Sequence, residues 1–247
     1  MKVLIFAGHS ANGYRGCGAV GALNESNENR RLGKKVVEYL KAMGIDAEFK
    51  CLDKPKTSNY LKEQVALANQ EKYDVQVQIH FNASNGKGRG TETYYISSKG
   101  RTFAERVHNK LKTIFRDRGV KSSTGLYWLK NTNSPSILIE VCFCDNNDDA
   151  KLYNNNFNKI AKLIAEGIAN KTYTEPKEEP IKDESSFIVR ITTEELNIRK
   201  EASFSSEVVG VVKKGEAYTI VEVKNGLGRM KSGKGWISLN EKYVKRV

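Results

Sequence analysis

The stretch KVLIFAGHSANG, residues 2–13, decides the fold. Five consecutive apolar residues, Val3 to Ala7, run directly into Gly8, His9 and Ser10. A short, unbroken apolar run of this kind suits a strand covered on both faces, as in the middle of a mostly parallel sheet. Gly8 at its end suits a tight turn. One of only three histidines in the chain therefore stands at the tip of the first buried strand. In open α/β sheets, ligands bind beyond that carboxyl edge.

Working outward, strand and helix patterns alternate. Residues 26–43 carry Leu32, Val36, Val37 and Leu40 at helical spacing, with Gly44 as a C-terminal stop. Residues 47–52 suggest a strand and 60–70 a second helix. In DVQVQIHFNAS, residues 74–84, Val75, Val77, Ile79 and Phe81 alternate with polar neighbours, a strand pattern. Strands at 91–96 and 136–143 (SILIEVCF) and amphipathic helices at 103–115 and 157–168 complete the series. The expected fold is α/β, with a mixed, largely parallel twisted sheet flanked by helices. The segment TYTEPKEEPIKDESS, residues 172–186, holds two of the four prolines and many acidic groups, and reads as a solvated linker. Beyond it, residues 187–247 show only short alternating strands separated by turn residues, the pattern of a small all-β barrel. The expected division is 1–171, a linker 172–186, and 187–247.

Hydrophobic content of 39% and charged content of 28% exclude a disordered chain. No apolar run approaches the roughly 20 residues of a membrane span, so membrane insertion is not expected. The first apolar run is also too short for a secretory signal, which implies synthesis in the cytoplasm and exit by another route. A net charge of +12 points to anionic partners: nucleic acid, anionic lipid or wall polymer. The basic residues are scattered and no nucleic-acid motif is present, which argues against nucleic acid. Cys142 and Cys144 share one face of an apolar run and read as reduced core thiols.

Four ionisable residues occupy element ends or interiors: His9, Glu25, His80 and Glu140. Taken singly, His9 could bond a turn, His80 could face solvent, and Glu25 could be a first-turn carboxylate at a helix N-terminus. Glu140 is harder to dismiss. It lies between Ile139 and Val141, and a buried unpaired carboxylate costs several kcal/mol. Two histidines and one carboxylate supply the donor set of a catalytic zinc site with one open position, and a second carboxylate can serve as its general base. His108 lies mid-helix and reads as a surface or packing residue.

The motifs LIFAGHS, NESNEN, QIHFNAS and ILIEVCFCDNNDD, in this order, resemble the zinc-dependent N-acetylmuramoyl-L-alanine amidases of the third amidase family, and among these the endolysins of clostridial phages. The resemblance spans roughly residues 1–170. It implies Zn²⁺ held by His9, Glu25 and His80, Glu140 as the catalytic glutamate, and Asn82, which completes the second histidine's motif, as a substrate-binding residue. Asn29, four residues after Glu25, fits the family pattern, and Asn146 resembles the asparagine that follows the Glu140 strand. Glu28 lies one turn from Glu25 and is the alternative ligand. SANGYRGCGAVG after His9 departs from the family's Gly-Gly-x-Asp-x-Gly. LNIRKEASFSSEVVGVVKKGE and KGWIS resemble a bacterial SH3-like domain, which implies anchoring to the cell wall, with Trp236 either core or ligand platform. The implied activity is that of an endolysin cleaving the amide between N-acetylmuramic acid and L-alanine, with bacterial peptidoglycan and its associated polymers as partners. A zinc peptidase acting on the stem peptide and a non-catalytic wall-binding protein are the alternatives.

Overall fold

Val3, Leu4, Ile5, Phe6 and Ala7 are all inaccessible to solvent. The strand they form, β1 (Lys2–Ala7), pairs in parallel on both sides, as an unbroken apolar run requires. The computed structural model describes residues 1–174 and 186–247. These form two compact units, Met1–Tyr173 and Thr174–Val247. Most of the expected linker, residues 175–185, lies outside the described residues.

In the first unit β1 is followed by α1 (Glu25–Ala42), β2 (Asp46–Lys50), α2 (Tyr60–Ala68), β3 (Val75–Asn82), β4 (Thr91–Tyr95) and α3 (Ser98–Leu111). Then come β5 (Asp117–Ser122), α4 (Tyr127–Asn131), β6 (Ser136–Phe143), α5 (Asn147–Asn155) and α6 (Phe157–Ala169). The six strands make one sheet in the order β2-β1-β3-β6-β4-β5. Every neighbouring pair is parallel except β6 and β4, so the expected mixed, largely parallel sheet is present.

Strand alternation sorts side chains between two helical layers. Val3, Ile5, Val77, Ile79, Ile137 and Ile139 pack toward Leu32 and Val36 of α1, Val107 of α3 and Ile160 of α6. Leu4, Phe6 and Leu138 face Val65 of α2 and Trp128 of α4. Each large apolar side chain fully buried this way contributes about 1.5–3 kcal/mol. Cys142 and Cys144 are free and buried, as expected of core thiols. His108 is a packing residue, buried, with Nε2 2.8 Å from Asp117 Oδ1.

Several elements differ from expectation for local reasons. α3 starts at Ser98 rather than 103, because the Ser97 side chain caps it by accepting the Gly100 N–H at 3.1 Å. β5 was not expected: its sequence, DRGVKS, is polar, and it survives as a half-exposed strand at the sheet's end. α4 has only five residues, and α5, NDDAKLYNN, is too polar to show a helical apolar stripe. Among the described residues no helix is long and apolar enough to cross a membrane.

The second unit holds β7 (Phe187–Ile191), β8 (Glu195–Arg199), β9 (Val208–Lys213), β10 (Ala217–Lys224), β11 (Leu227–Met230), β12 (Trp236–Ser238) and β13 (Val244–Arg246). They form an antiparallel sheet in the order β13-β7-β10-β11-β12-β8-β9 around Val189, Ile191, Ile198, Ile220 and Ile237. Trp236 is half-buried and pairs with Arg229 and Arg199 across the strands.

Candidate metal centre and active site

The central parallel strands β1, β3 and β6 deliver their carboxyl ends to one edge of the sheet. His9 lies two residues past β1, with φ of 63°, in the left-handed region uncommon for side chains other than glycine. The residue that makes the turn is therefore His9 itself. Gly8, expected to turn tightly, is needed for another reason: a Cβ there would stand 2.3 Å from His80 Nε2.

α1 brings Glu25 to the same place. Asn24 caps the helix by accepting the Asn27 N–H at 3.1 Å, which leaves Glu25 as its first residue, 3% exposed. The Glu25 carboxylate lies among donors. Ala19 N–H donates to Oε2 at 2.9 Å and Phe81 N–H to Oε1 at 3.0 Å. His80 Nδ1 and His9 Nε2 stand 3.1 and 3.2 Å from Oε1. A Cβ on Gly18 would meet Glu25 Oε2 at 2.3 Å, so a second glycine makes room for this side chain. His9 Nδ1 is held 3.0 Å from the Gly16 carbonyl. One ligand atom from each of His9, Glu25 and His80 falls within 4.8 Å of the others. Glu28 points elsewhere: it accepts from Tyr153 Oη at 2.8 Å and from Arg31 at 2.9 Å.

Glu140 sits beside this cluster. In the parallel pairing of β3 and β6 it is opposite His80, and in the antiparallel pairing of β6 and β4 it is opposite Glu92. Its Oε2 is buried without a hydrogen-bond partner. Two nitrogens and one carboxylate converge, with an unpartnered carboxylate alongside, at the sheet edge where α/β proteins bind ligands.

Residues 3–170 match the family described as N-acetylmuramoyl-L-alanine amidase. The chain belongs to that family. It is 29% identical to an uncharacterized protein of Clostridium perfringens over 99% of this chain and 80% of that one. It is 32% identical to the N-acetylmuramoyl-L-alanine amidase LytC of Bacillus subtilis over 60% of this chain and 30% of LytC. Among solved structures it resembles the catalytic domain of the CD27L endolysin targeting Clostridia difficile. That match has a TM-score of 0.66 and 34% identity, and covers 70% of this chain and 99% of that domain. Membership bears out the expected amidase class and its α/β fold.

Electrostatics distinguish the carboxylates of this amidase. Burial alone would raise the Glu25 carboxyl, but the hydrogen bonds and charges of His80 and His9 outweigh it and hold it well below the usual range. Burial lowers His80 despite Glu25. His9 is also depressed by burial, yet its contacts with Glu25 leave it raised overall. Glu140 is pushed well above the ordinary range by burial, with the Glu25 and Glu92 charges adding to the effect. The two neighbouring carboxyls are thus pushed in opposite directions, Glu25 down by its histidine partners and Glu140 up by burial.

Asn82 is half-buried, and its amide is engaged at both ends. Nδ2 donates to Glu92 Oε1 at 2.7 Å and Oδ1 accepts the Ala83 N–H at 2.9 Å. Asn29 is buried and donates to the Gly8 carbonyl at 2.9 Å, tying α1 to the end of β1. Asn146 caps α5, accepting from Asp148 and Asp149 N–H. The sequence reading missed Glu92, 3% exposed, which also accepts from Tyr94 Oη and Arg118 Nε, both at 3.0 Å, and from Lys121 Nζ. Unlike Glu140, it stands between two threonines in TETYY, so no apolar run marks it out.

Proposed function

We propose that this amidase hydrolyses the amide joining N-acetylmuramic acid to the first L-alanine of the peptidoglycan stem, with Zn²⁺ held by His9, Glu25 and His80. The observation that carries the reading is the convergence of those three side chains beside the unpartnered Glu140 carboxylate. The residues fit the ion: two imidazoles and one carboxylate are a common zinc donor set that leaves a position open, and Gly8 and Gly18 clear space around two of the three ligands. When bound there, zinc supplies Lewis acidity, which activates water near neutral pH and polarises a carbonyl.

The protein's own groups supply the rest. Glu140 accepts the proton of the attacking water and delivers it to the departing amine of alanine. Its raised pKa suits the delivery half of that cycle. Backbone N–H groups of Ala19 and Phe81 fix the Glu25 carboxylate, and the Gly16 carbonyl fixes the His9 ring. Asn82, braced on Glu92, would offer its remaining amide hydrogen to substrate. The antiparallel second unit is read as an SH3-like wall anchor, and the whole as an endolysin acting at the wall. Joining two weak binding units raises the effective concentration at a polymer carrying many copies of the substrate.

Mass spectrometry of digested, purified clostridial wall tests the bond. Free stem peptides beginning with alanine are the expected product, and shortened stems still attached to glycan would make the enzyme a peptidase instead. A paired substitution tests the ligands. Glu25→Gln should reduce bound zinc by an order of magnitude or more, whereas Glu28→Gln, which disturbs only the Tyr153 and Arg31 contacts, should leave zinc content unchanged. Equal losses in both would reject Glu25 as the ligand.

A further inference from the structure

Glu92 raises a question of charge. One buried carboxylate is met by two cations, Arg118 and Lys121 of β5, besides the neutral donors Tyr94 and Asn82. A single cation would neutralise it. Both side chains also stay partly open to solvent, 33% and 41% exposed, so each has room for a second partner. Arg118 commits only Nε to Glu92, while both Nη groups are without a partner among the described residues. Its guanidinium lies 4.9 Å from the Phe143 ring centroid, and Phe143 ends the strand that carries Glu140. With Nε engaged, the edge formed by the two Nη groups is suited to a bidentate carboxylate.

Position gives the ligand. β5 is two strands from β6, so these cations lie roughly 10 Å across the sheet from Glu140, at about 4.8 Å per strand. An extended peptide advances about 3.3 Å per residue. A chain leaving the scissile bond along this edge brings its second or third residue to the pair.

We infer that Arg118 and Lys121, anchored on Glu92, form a subsite for a free carboxylate on the second or third residue of the substrate peptide. The inference rests on the amidase reading and narrows its substrate to acidic, non-amidated stems. Glu92 acts here as a positioning residue, since it touches the cations and not the peptide. The subsite selects substrate by ion pairing, without a part in proton transfer.

The test uses the full chain and soluble glycan-peptide fragments of wall, with their peptide carboxylates either free or converted to carboxamides. The wild-type enzyme should cleave the carboxylate form with a kcat/KM about tenfold higher, the difference lying mainly in KM. In Arg118→Gln and Lys121→Met that ratio should fall toward one. Equal cleavage of both forms by the wild-type enzyme, or an undiminished preference in both variants, overturns the subsite while leaving the amidase reading intact. Cleavage of neither form overturns both. Should a variant fold poorly, inhibition of the wild-type enzyme decides the same question. An alanine-led acidic peptide should compete about tenfold better than its carboxamide, and equal competition removes the subsite.

Discussion

Glu140→Gln is expected to lower wall hydrolysis by about 10²–10⁴-fold, the usual contribution of a positioned acid–base group. Bound zinc should stay at the wild-type level, because Glu140 is not among the three converging side chains. Glutamine keeps the shape of the side chain and removes the ionisable proton, and Oε2 makes no hydrogen bond that the change would break. Stability should hold or rise in the metal-free protein. The sign follows from the raised carboxyl: its folded pKa lies above the ordinary value of 4.5, so the folded state loses stability as pH rises from that value toward the folded pKa. Glutamine lacks this loss, so its advantage is absent below about pH 4 and grows above it. Zinc analysis, thermal melts at two pH values and single-turnover hydrolysis together separate the roles. Near-wild-type hydrolysis by a folded, zinc-loaded Glu140→Gln protein would remove Glu140 from the mechanism.

The sequence made the strands easiest to read, because burial on both faces leaves an unmistakable apolar run. SILIEVCF is a strand over the expected residues, and Val3 to Ala7 differ from β1 only by Lys2. What stayed hidden was held by local hydrogen bonds and tertiary packing rather than by periodicity. β5 has no alternating pattern to announce it, since it is a polar strand at the sheet's end. α5 depends on the Asn146 cap. The same division runs through the site. Glu140 stands out because a carboxylate inside an apolar strand calls for a reason, whereas His9 and His80 gain meaning only in combination with it and Glu25. The choice between Glu25 and Glu28 could not be made from spacing alone, since both lie within a turn of the helix start. The direction of the side chains separates them: Glu25 turns to the histidines and Glu28 to Tyr153 and Arg31. Glu92 escaped notice because TETYY is too mixed in character for one carboxylate to look misplaced.

The second large effect is expected from the smallest change, Gly8→Ala. The added methyl would stand 2.3, 2.4 and 2.7 Å from Nε2, Cε1 and Cδ2 of His80, contacts that no structure tolerates without movement. The backbone at Gly8 cannot yield freely, because its N–H donates to the Ile79 carbonyl at 2.9 Å and its carbonyl accepts from the buried Asn29 amide at 2.9 Å. The imidazole is the far end of a side chain and can swing aside. Movement there separates Nδ1 from Glu25 Oε1, now 3.1 Å away, and removes one corner of the three-residue cluster. The fold should survive, since the conformation at Gly8 is open to alanine and its neighbours Ala7 and Ile79 stay buried. Zinc affinity should fall by about 10–100-fold or more, as for other losses of ligand orientation, and hydrolysis with it. Gly18→Ala presses on Glu25 Oε2 at 2.3 Å and should act in the same direction through the other ligand. Excess zinc should restore part of the activity of either variant, whereas it should do nothing for Glu140→Gln. Metal titration followed by calorimetry and by rate measures both quantities on the same samples. A Gly8→Ala protein that binds zinc as tightly as the wild type would show that the His80 ring is not held where the ligand set needs it.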